Sequence, residues 1–261
     1  MIDLDRLELI CREAGQMALL LWPGQGHDLS SWDKLPGNPV SEADLAVDAF
    51  LKRELGLLLP AAGWLSEETA DSDLRLGRDL IWLVDPIDGT RDFIRGRMGW
   101  AISVALISGG RPLIGMMVAP ARGEVWKATA GSGAWRNGER LAASSCSRFA
   151  GARVPADSLE REDRDLTMVE KPNSIALRIA MVGANEADLV ATLRWGYEWD
   201  IAAATLIARE AGAQVSDAFG KPLAFNKRDP RAFGLLVSAP AIHKDAVARL
   251  ADRAKAIAGP K

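Results

Sequence analysis

One short segment of this chain combines two acidic residues with a proline, a glycine and a hydroxyl: Asp85-Pro86-Ile87-Asp88-Gly89-Thr90. It follows an apolar run, Leu80 to Val84, that is typical of a buried strand. The proline fixes its own φ and has no N–H, and the glycine permits a positive φ, so a sharp turn is predicted. Such a turn can direct both carboxylates and the Ile87 carbonyl at one point. Convergent oxygen ligands of this kind suit a hard cation such as Mg²⁺.

Further acidic residues stand at predicted helix starts and after a short strand-like stretch. Glu67-Glu68 follow the apolar stretch, Asp44 falls in the first turn after Ser41, and Asp200 opens a later helix. Each also has an ordinary explanation, because acidic residues cap helices and are favoured in the first turn. The glutamate pair would then simply be solvated. A common site is predicted only if the fold brings these separated acids to the turn.

The composition restricts the chemistry that such a site can perform. The chain has 261 residues, 48% hydrophobic and 26% charged, with a net charge of −3, which is typical of a globular protein and unsuited to a nucleic-acid polymer. It has no apolar run of the ~18 residues that a membrane helix needs, and its acidic amphipathic start is unlike a signal peptide. We therefore expect a cytoplasmic protein without a membrane partner. With two cysteines and two histidines, a disulfide framework or a Cys/His metal site is not expected, and carboxylates must do the chemistry.

Hydrophobic periodicity predicts the elements that position these residues. Helices are predicted from about Asp3 to Leu21, from Ser41, from about Ser174, from Trp199 to Ala211 and after Pro240. Strands are predicted at Leu80–Val84, Ala101–Ile107, Leu113–Val118, Glu124–Ala128, around Leu189–Leu193 and at Gly234–Ser238. The segment Arg136-Asn137-Gly138-Glu139 is a hairpin signal, so much of the first half is predicted to be an antiparallel meander. The stretch Pro23–Asn38 is interpreted as a polar loop.

A change of composition divides the chain into two predicted halves. Small residues and then a charged run fill Ser144–Asp165. We expect an N-terminal α+β half at residues 1–145 that carries the metal-binding turn. A C-terminal α/β half at residues 146–261 would carry Asp200 and substrate-pocket residues. The charged run itself is interpreted as a solvated loop.

Two signatures in a fixed order carry a family resemblance. The first is the Asp85–Thr90 turn, and the second is Trp199-Asp200 followed by a small-residue helix that ends in Glu210-Ala211-Gly212. With the acidic pair upstream, the chain resembles the inositol monophosphatase superfamily of Mg²⁺-dependent, lithium-sensitive phosphatases, from the first helix to Leu250. The resemblance implies an α/β (α+β) fold, a layered αβαβα sandwich of the inositol monophosphatase and sugar phosphatase type, and a homodimer.

The resemblance also implies a role for each acidic residue. The implied ligands are Glu67, Asp85 and the Ile87 carbonyl for a first Mg²⁺, and Asp85, Asp88 and Asp200 for a second. Glu68 would support them or hold a third ion, so two or three Mg²⁺ are expected. Thr90, hydrogen-bonded to Asp44, would act with Glu67 on the attacking water, and no phosphoenzyme would form. The backbone N–H groups of Gly89 and Thr90 would bind the phosphate. Without cations, so many neighbouring carboxylates would repel one another.

Departures from the inositol phosphatases concern the substrate. Asp92 stands where they usually have Asn, and an acidic residue there is more like the bisphosphate nucleotidase branch of the superfamily. Leu193, followed by Arg194, replaces a substrate-binding Glu. An arginine suits a second phosphate, because its guanidinium matches phosphate oxygens. Ser174, in an Asn173-Ser174 pair that replaces a Gly-containing pair, is a further predicted substrate contact. We therefore expect a small phosphorylated metabolite as partner, and a 3'(2'),5'-bisphosphate nucleotidase that removes the 3'-phosphate of adenosine 3',5'-bisphosphate.

Other functions remain open at this point. An inositol-1-phosphatase or a broad sugar phosphatase of the same family would carry the same signatures. A catalytically inactive metal-binding scaffold is also compatible, although the intact acidic set argues against it. A haloacid-dehalogenase-type phosphatase is excluded, because its Asp-x-Asp-x-Thr pattern is interrupted by Ile87 and Gly89. Trp195 or Tyr197 could stack on a base, although buried packing is the commoner use of such residues.

Overall fold

A computed structural model describes residues 2–258 of the chain. The helices within this range are α1 Leu4–Leu21, α2 Glu42–Leu58, α3 Thr90–Ile94, α4 Ile175–Gly183, α5 Glu198–Glu210 and α6 His243–Ala258. The strands are β1 Ser31–Leu35, β2 Asn38–Ser41, β3 Gly63–Ser66, β4 Leu80–Asp88, β5 Ala101–Ser108, β6 Arg111–Ala119, β7 Glu124–Thr129, β8 Gly133–Arg136, β9 Glu139–Arg140, β10 Arg153–Pro155, β11 Thr167–Val169, β12 Leu189–Tyr197, β13 Gln214–Ser216 and β14 Arg231–Ser238. Every helix and strand predicted from the sequence is present, and β4 and β12 extend further than expected.

Seven strands form the large sheet, in the order β3-β4-β5-β6-β7-β8-β9. From β4 onward each strand pairs antiparallel with its sequence neighbour, which confirms the predicted meander, whereas β3 runs parallel to β4. The turn between β8 and β9 has Asn137 at φ 50° and Gly138 at φ 85°, the left-handed pair that a tight hairpin requires. Because β3 and β4 are parallel, Glu67 after β3 and the acidic residues in the last part of β4 lie at the same end of the two strands.

Helices and a second sheet complete five layers. α1 and α2 pack on one face of the large sheet, and α4 and α5 pack on the other. The far side of α4 and α5 meets an antiparallel sheet of three strands, in the order β12-β14-β13, whose outer face is covered by α6. The order helix, sheet, helix, sheet, helix confirms the predicted αβαβα sandwich.

Alternating side chains bury both faces of β4. Trp82 and Val84 face α1 and α2, whereas Leu83 faces the side of α5, because neighbouring residues of a strand point to opposite faces. α5 approaches the large sheet closely at Gly115 of β6, where a Cβ would lie 2.7 Å from the carbonyl oxygen of Ala203. The close contact between these elements fixes where the start of α5 lies.

The stretch Pro23–Asn38 contains a hairpin, which corrects its interpretation as a loop. β1 pairs antiparallel with β2 across a turn in which Gly37 has φ 78°. All five residues of β1 are exposed, so the hairpin lacks the apolar alternation by which a strand is recognised. The Pro36-Gly37 pair was the available turn signal.

The division of the chain at residue 145 stays a prediction. The large sheet ends at Arg140 and the small sheet begins at Leu189, but one hydrophobic core draws on both, from Leu65 to Val237. Positions 1 and 259–261 of the predicted halves lie outside the described residues. Among residues 2–258, no helix has the length and hydropathy of a membrane span.

Candidate active site

A bulge at the end of β4 builds the acidic turn. The register between β4 and β5 slips by one residue between Asp85 and Asp88. Simple alternation would put these two side chains on opposite faces of the sheet, and the bulge brings both to one side. Gly89 then has φ 99°, and a Cβ there would lie 2.7 Å from the carbonyl oxygen of Gly99. A side chain is therefore disfavoured by both the backbone conformation and the available space.

Three carboxylates from three elements meet beside this turn. One oxygen each of Glu67, Asp85 and Asp200 lies within 4.8 Å of the others. Glu67 follows β3, the parallel neighbour of β4. Asp200 lies in the first turn of α5, where its Oδ2 accepts the Tyr197 N–H at 3.0 Å. The fold thus brings together acids that are distant in the sequence, as predicted.

This cluster is electrostatically unfavourable without a cation. Burial raises the pKa of Asp85 well above its ordinary value, and the charges of Glu67 and Asp88 raise it further. Burial likewise raises the pKa of Asp200 well above its ordinary value, again with Asp88 and Glu67 adding to it. The atoms that could bind a metal here are all carboxylate oxygens, which a hard divalent cation prefers. A bound cation would offset the repulsion between these carboxylates. The residues therefore fit the metal that the family resemblance implies.

Asp88 is held at this cluster by α4. Its Oδ2 accepts a hydrogen bond from Ser174 Oγ at 2.5 Å and another from the Ala176 N–H at 2.6 Å. Burial raises the pKa of Asp88 to about 6, although these hydrogen bonds and the nearby Arg178 guanidinium lower it. Ser174 is fully buried and directs its hydroxyl to Asp88, so its direct contact with a substrate stays a prediction.

Thr90 connects the acidic turn to α2. Its Oγ1 lies 3.2 Å from Asp44 Oδ1 and 3.0 Å from the Ile87 carbonyl oxygen. The hydroxyl has one proton, so it donates a hydrogen bond to only one of these two oxygens at a time. Asp44 also caps α2, because its Oδ2 accepts from the Ser41 N–H at 2.8 Å and from Ser41 Oγ at 2.6 Å. Burial raises the pKa of Asp44 to about 6. Asp44 therefore both caps a helix and contacts Thr90 in the site, and these are the two roles that its position in the sequence allowed.

Lys34 of the β1–β2 hairpin is a charged contact of the site that the sequence did not predict. Its Nζ lies 3.0 Å from Glu67 Oε1 and 2.7 Å from Glu68 Oε1. The Glu68 side chain is buried, and burial raises its pKa to about 7 despite the hydrogen bond from Lys34. Lys34 was missed because its strand was interpreted as part of a loop.

A cavity of about 200 Å³ opens over these groups. Its walls are formed by Gly37, Asn38, Pro39, Glu67, Asp85, Ile87, Asp88, Gly89, Thr90, Arg91, Asn173, Ile175, Arg194 and Asp200. Two arginines add positive charge to a wall that is otherwise acidic. Arg91 also donates through Nη2 to the Gly37 carbonyl at 2.6 Å, which ties α3 to the hairpin.

A second bulge determines which residue of β12 reaches the cavity. The register between β12 and β14 slips between Thr192 and Trp195, so regular alternation is broken there. Leu193 packs in the outer core beneath α6, whereas Arg194 lines the cavity. Arg194 therefore lies in the cavity wall, where its contact with a substrate stays a prediction, and Leu193 belongs to the core.

Asp92, which the sequence associates with a nucleotide substrate, contacts the protein itself. Its Oδ2 accepts the Asn173 N–H at 3.0 Å, and Arg97 Nη1 lies 3.8 Å from its Oδ1. It lines a different cavity, of about 580 Å³. This hydrogen bond gives Asp92 a structural role in the loop before α4, and its association with a nucleotide substrate stays a prediction.

The two aromatic residues near the end of β12 are exposed, Trp195 by 56% and Tyr197 by 43%. Tyr197 stacks on Trp199 with ring centroids 4.4 Å apart, and Trp195 packs edge-on against Phe233 at 5.4 Å. Tyr197 also shares a small cavity of about 30 Å³ with Arg194. Stacking on a base stays a prediction, for which Tyr197 is the better placed of the two.

Comparison with known proteins agrees with this geometry. The family described as the inositol monophosphatase family matches residues 7–256. The fructose-1,6-bisphosphatase/inositol-1-monophosphatase of Thermotoga maritima is 32% identical over 238 residues, which are 86% of this chain and 90% of that protein. The 3'(2'),5'-bisphosphate nucleotidase CysQ of Escherichia coli K12 is 30% identical over 237 residues, 87% of this chain and 95% of that protein. The structure of a Thermotoga maritima IMPase matches with a TM-score of 0.84 at 28% identity, covering 97% of this chain and 98% of that one.

Proposed function

We propose that this chain, which belongs to the inositol monophosphatase family and is a phosphatase, removes the 3'-phosphate of adenosine 3',5'-bisphosphate with Mg²⁺ as cofactor. The two relatives named above carry different substrates in their names, so family membership leaves the substrate open. The family is metal-dependent, and the acidic cluster could bind a metal. The proposal goes beyond this in naming Mg²⁺ and the nucleotide.

Carboxylates of the cavity would hold the metal, with two or three ions expected from the resemblance. The residues proposed for this are Glu67, Asp85, Asp88, Asp200 and the carbonyl of Ile87. When bound, Mg²⁺ supplies positive charge to the phosphate oxygens and lowers the pKa of water. Phosphate transfer to water then depends mainly on how the protein positions the reacting groups.

Thr90 and Asp44 would together accept the proton of the attacking water. Thr90 Oγ1 can donate its own proton to Asp44 Oδ1, 3.2 Å away, while a lone pair accepts one from the water. A carboxyl with a pKa of about 6 is ionised at neutral pH and is still a useful base. Glu67 would orient the same water. The N–H groups of Gly89 and Thr90, in the cavity wall, would donate to the phosphate.

The position of Arg194 in the cavity wall carries the choice of substrate. A guanidinium forms paired, charge-assisted hydrogen bonds with a phosphate. A bisphosphate offers a second phosphate once the first lies at the carboxylates, whereas inositol 1-phosphate offers only hydroxyls. Arg91 is the other arginine of the wall, but its hydrogen bond to Gly37 already engages it.

Phosphate release in the presence of Mg²⁺ tests the proposal. The substrates are adenosine 3',5'-bisphosphate, adenosine 3'-monophosphate and inositol 1-phosphate, with Asp88→Asn as the blank. We expect kcat/KM for the bisphosphate to exceed the others by about a hundredfold, or about 2.7 kcal/mol in the transition state. Arg194→Met should remove the preference for the bisphosphate over the monophosphate. Arg228→Met is the matched control, since this exposed arginine pairs with Asp73, and should keep the preference.

Other outcomes favour the alternatives. A preference for inositol 1-phosphate would contradict the nucleotide proposal and support an inositol or sugar phosphatase. Comparable activity on all three esters, lost in Asp88→Asn, would indicate broad specificity. Absence of phosphate release by a protein that still binds Mg²⁺ would support a metal-binding scaffold.

A cytoplasmic homodimer that acts on a small phosphorylated metabolite is a further proposal. It is supported by the family resemblance and by the composition of the chain. Light scattering on the purified protein should give twice the 28.1 kDa mass of one chain. A mass equal to that of one chain would contradict the dimer.

A further inference from the structure

Arg178 in α4 is a partly buried cation outside the catalytic cavity. It lines a different, mainly apolar cavity of about 180 Å³ between β12 and α6. Burial lowers its pKa, and a cation near a helix N-terminus is opposed by the helix dipole. The first turn of α4 contains no acidic residue, and the negative charges that act on Arg178 come from Asp88 and Asp157, outside the helix. Formation of the helix alone therefore does not explain an arginine at this position.

The guanidinium turns back to hold the loop before α4. Nε donates to the Ser174 carbonyl at 3.2 Å, and Nη2 donates to the Asn173 carbonyl at 3.0 Å. The peptide group that joins these two residues is also held at its other end, because the Ser174 N–H donates to the Gly99 carbonyl at 2.8 Å. On the far side of the loop, the Asn173 N–H donates to Asp92 at 3.0 Å. The loop thus has little freedom to rotate.

This peptide group determines the orientation of two groups of the catalytic cavity. Ser174 Oγ and the Ala176 N–H both bond the same oxygen of Asp88, at 2.5 Å and 2.6 Å, so together they set the plane of that carboxylate. Asn173 forms part of the cavity wall. If the peptide group rotated, the Ser174 hydroxyl would leave Asp88 and the wall would change shape.

We propose that Arg178 is a positioning residue for phosphate hydrolysis. Its guanidinium fixes the Asn173–Ser174 peptide group, and Ser174 in turn holds the Asp88 carboxylate in the orientation that metal and substrate require. The role rests on the proposed function of the cavity, and it adds a residue that touches neither substrate nor metal. A planar guanidinium is needed, because it donates to both carbonyls at once in a fixed geometry that an ammonium group does not reproduce.

The test compares Arg178→Lys and Arg178→Gln with the wild-type chain. Arg253→Gln is the matched control, since this arginine of α6 pairs at 2.7 Å with Asp163, which lines the same apolar cavity as Arg178. Titration calorimetry without substrate gives the Kd for Mg²⁺, and hydrogen exchange reports the amides of α4 and the loop before it. Steady-state kinetics use the ester that the wild-type protein hydrolyses fastest.

Both Arg178 variants should bind Mg²⁺ about tenfold more weakly, as is typical when a residue that orients a metal ligand is changed. Their kcat should fall by about tenfold or more. The Ser174 amide should exchange faster, while exchange in residues 179–183 stays unchanged. Arg253→Gln should match the wild type in all three measurements.

Wild-type Mg²⁺ affinity and kcat in both variants would overturn the proposal, even if their Tm were lower. Uniformly faster exchange along α4 would also overturn it, because Arg178 would then only stabilise the helix. Wild-type Mg²⁺ affinity and kcat in Arg178→Lys alone would show that charge rather than geometry matters, which is a third contradicting result.

Arg178→Lys decides the question if Arg178→Gln does not fold. If the wild type hydrolyses no ester, the proposed function fails, and Mg²⁺ binding and exchange still decide the role of Arg178.

Discussion

Three acids of the site also hold an element of the fold in place. Asp44 caps α2 with one oxygen and accepts from Thr90 with the other. Asp88 joins the β4 turn to α4, and Asp200 accepts a backbone N–H at the start of α5. A structural explanation and a functional one are therefore compatible for the same side chain, because a carboxylate has two oxygens.

Replacement of Thr90 tests the proton path at the level of one hydroxyl. Thr90→Ala should lower kcat by about 10²–10⁴-fold, the usual contribution of a general base, with little change of KM. Thr90→Ser is the matched control, because it keeps the Oγ beside Asp44 and should retain most of the activity. Steady-state kinetics with the preferred ester decide the matter. A Thr90→Ala variant with nearly wild-type kcat would mean that the proton leaves by another route.

At the scale of elements, two bulges and one close contact position the cavity. The β4 bulge puts Asp85 and Asp88 on one side of the sheet, and the β12 bulge brings Arg194 to the cavity. The contact of Gly115 with Ala203 brings α5 close to β6. Each of these features lies between two strands or between a helix and a sheet. Its effect is therefore to orient side chains that the sequence already contains.

Gly115→Ala should destabilise the protein by about 1–3 kcal/mol, because its Cβ would lie 2.7 Å from the Ala203 carbonyl oxygen and α5 would have to move. Gly56→Ala is the control: this glycine lies in α2, and a Cβ there meets nothing within 4 Å. It should stabilise the chain by about 0.5–1 kcal/mol through helix propensity and reduced freedom of the unfolded state. Urea denaturation measures both. Equal stability of the two variants would show that α5 accommodates the extra methyl group without strain.

At the scale of the whole molecule, the five layers bring together buried acids from α2, from the end of β4 and from the first turn of α5. Burial raises the pKa of both Asp44 and Asp88 from an ordinary value of 3.8 to about 6. The folded state therefore binds more protons than the unfolded state between these values. Stability of the metal-free protein must fall as pH rises through this range, since the charged forms are disfavoured only in the fold.

Thermal denaturation at about pH 5 and pH 7.5 tests this linkage. In EDTA, Asp85→Asn should be more stable than the wild type at the higher pH, because it removes one of the repelling buried charges. Added Mg²⁺ should raise the Tm of the wild type by mass action and leave Asp85→Asn nearly unchanged. The difference between the Tm values of the two proteins removes the contribution of the surface carboxylates, because both proteins carry the same ones. An Asp85→Asn protein that is less stable than the wild type in EDTA would contradict the assumed repulsion.

Sequence alone determined most of the helices and strands, the layered fold and the acidic residues that meet in the cavity. Helical and strand periods are local, so α1, α5 and β5 could be placed within a few residues of their actual bounds. The turn after β4 could be recognised because a proline and a glycine restrict the backbone wherever they occur. The family resemblance then supplied the order of the layers and the set of acids.

Only the tertiary structure decided which neighbours these residues have. Lys34 reaches Glu67 from a hairpin without apolar alternation, and the Asp92 carboxylate accepts the Asn173 N–H. Arg194 faces the cavity, and Leu193 the core, because of a slip in strand register. Such outcomes depend on contacts between segments far apart in the chain and on single-residue register shifts, and no local pattern of the sequence encodes either of them.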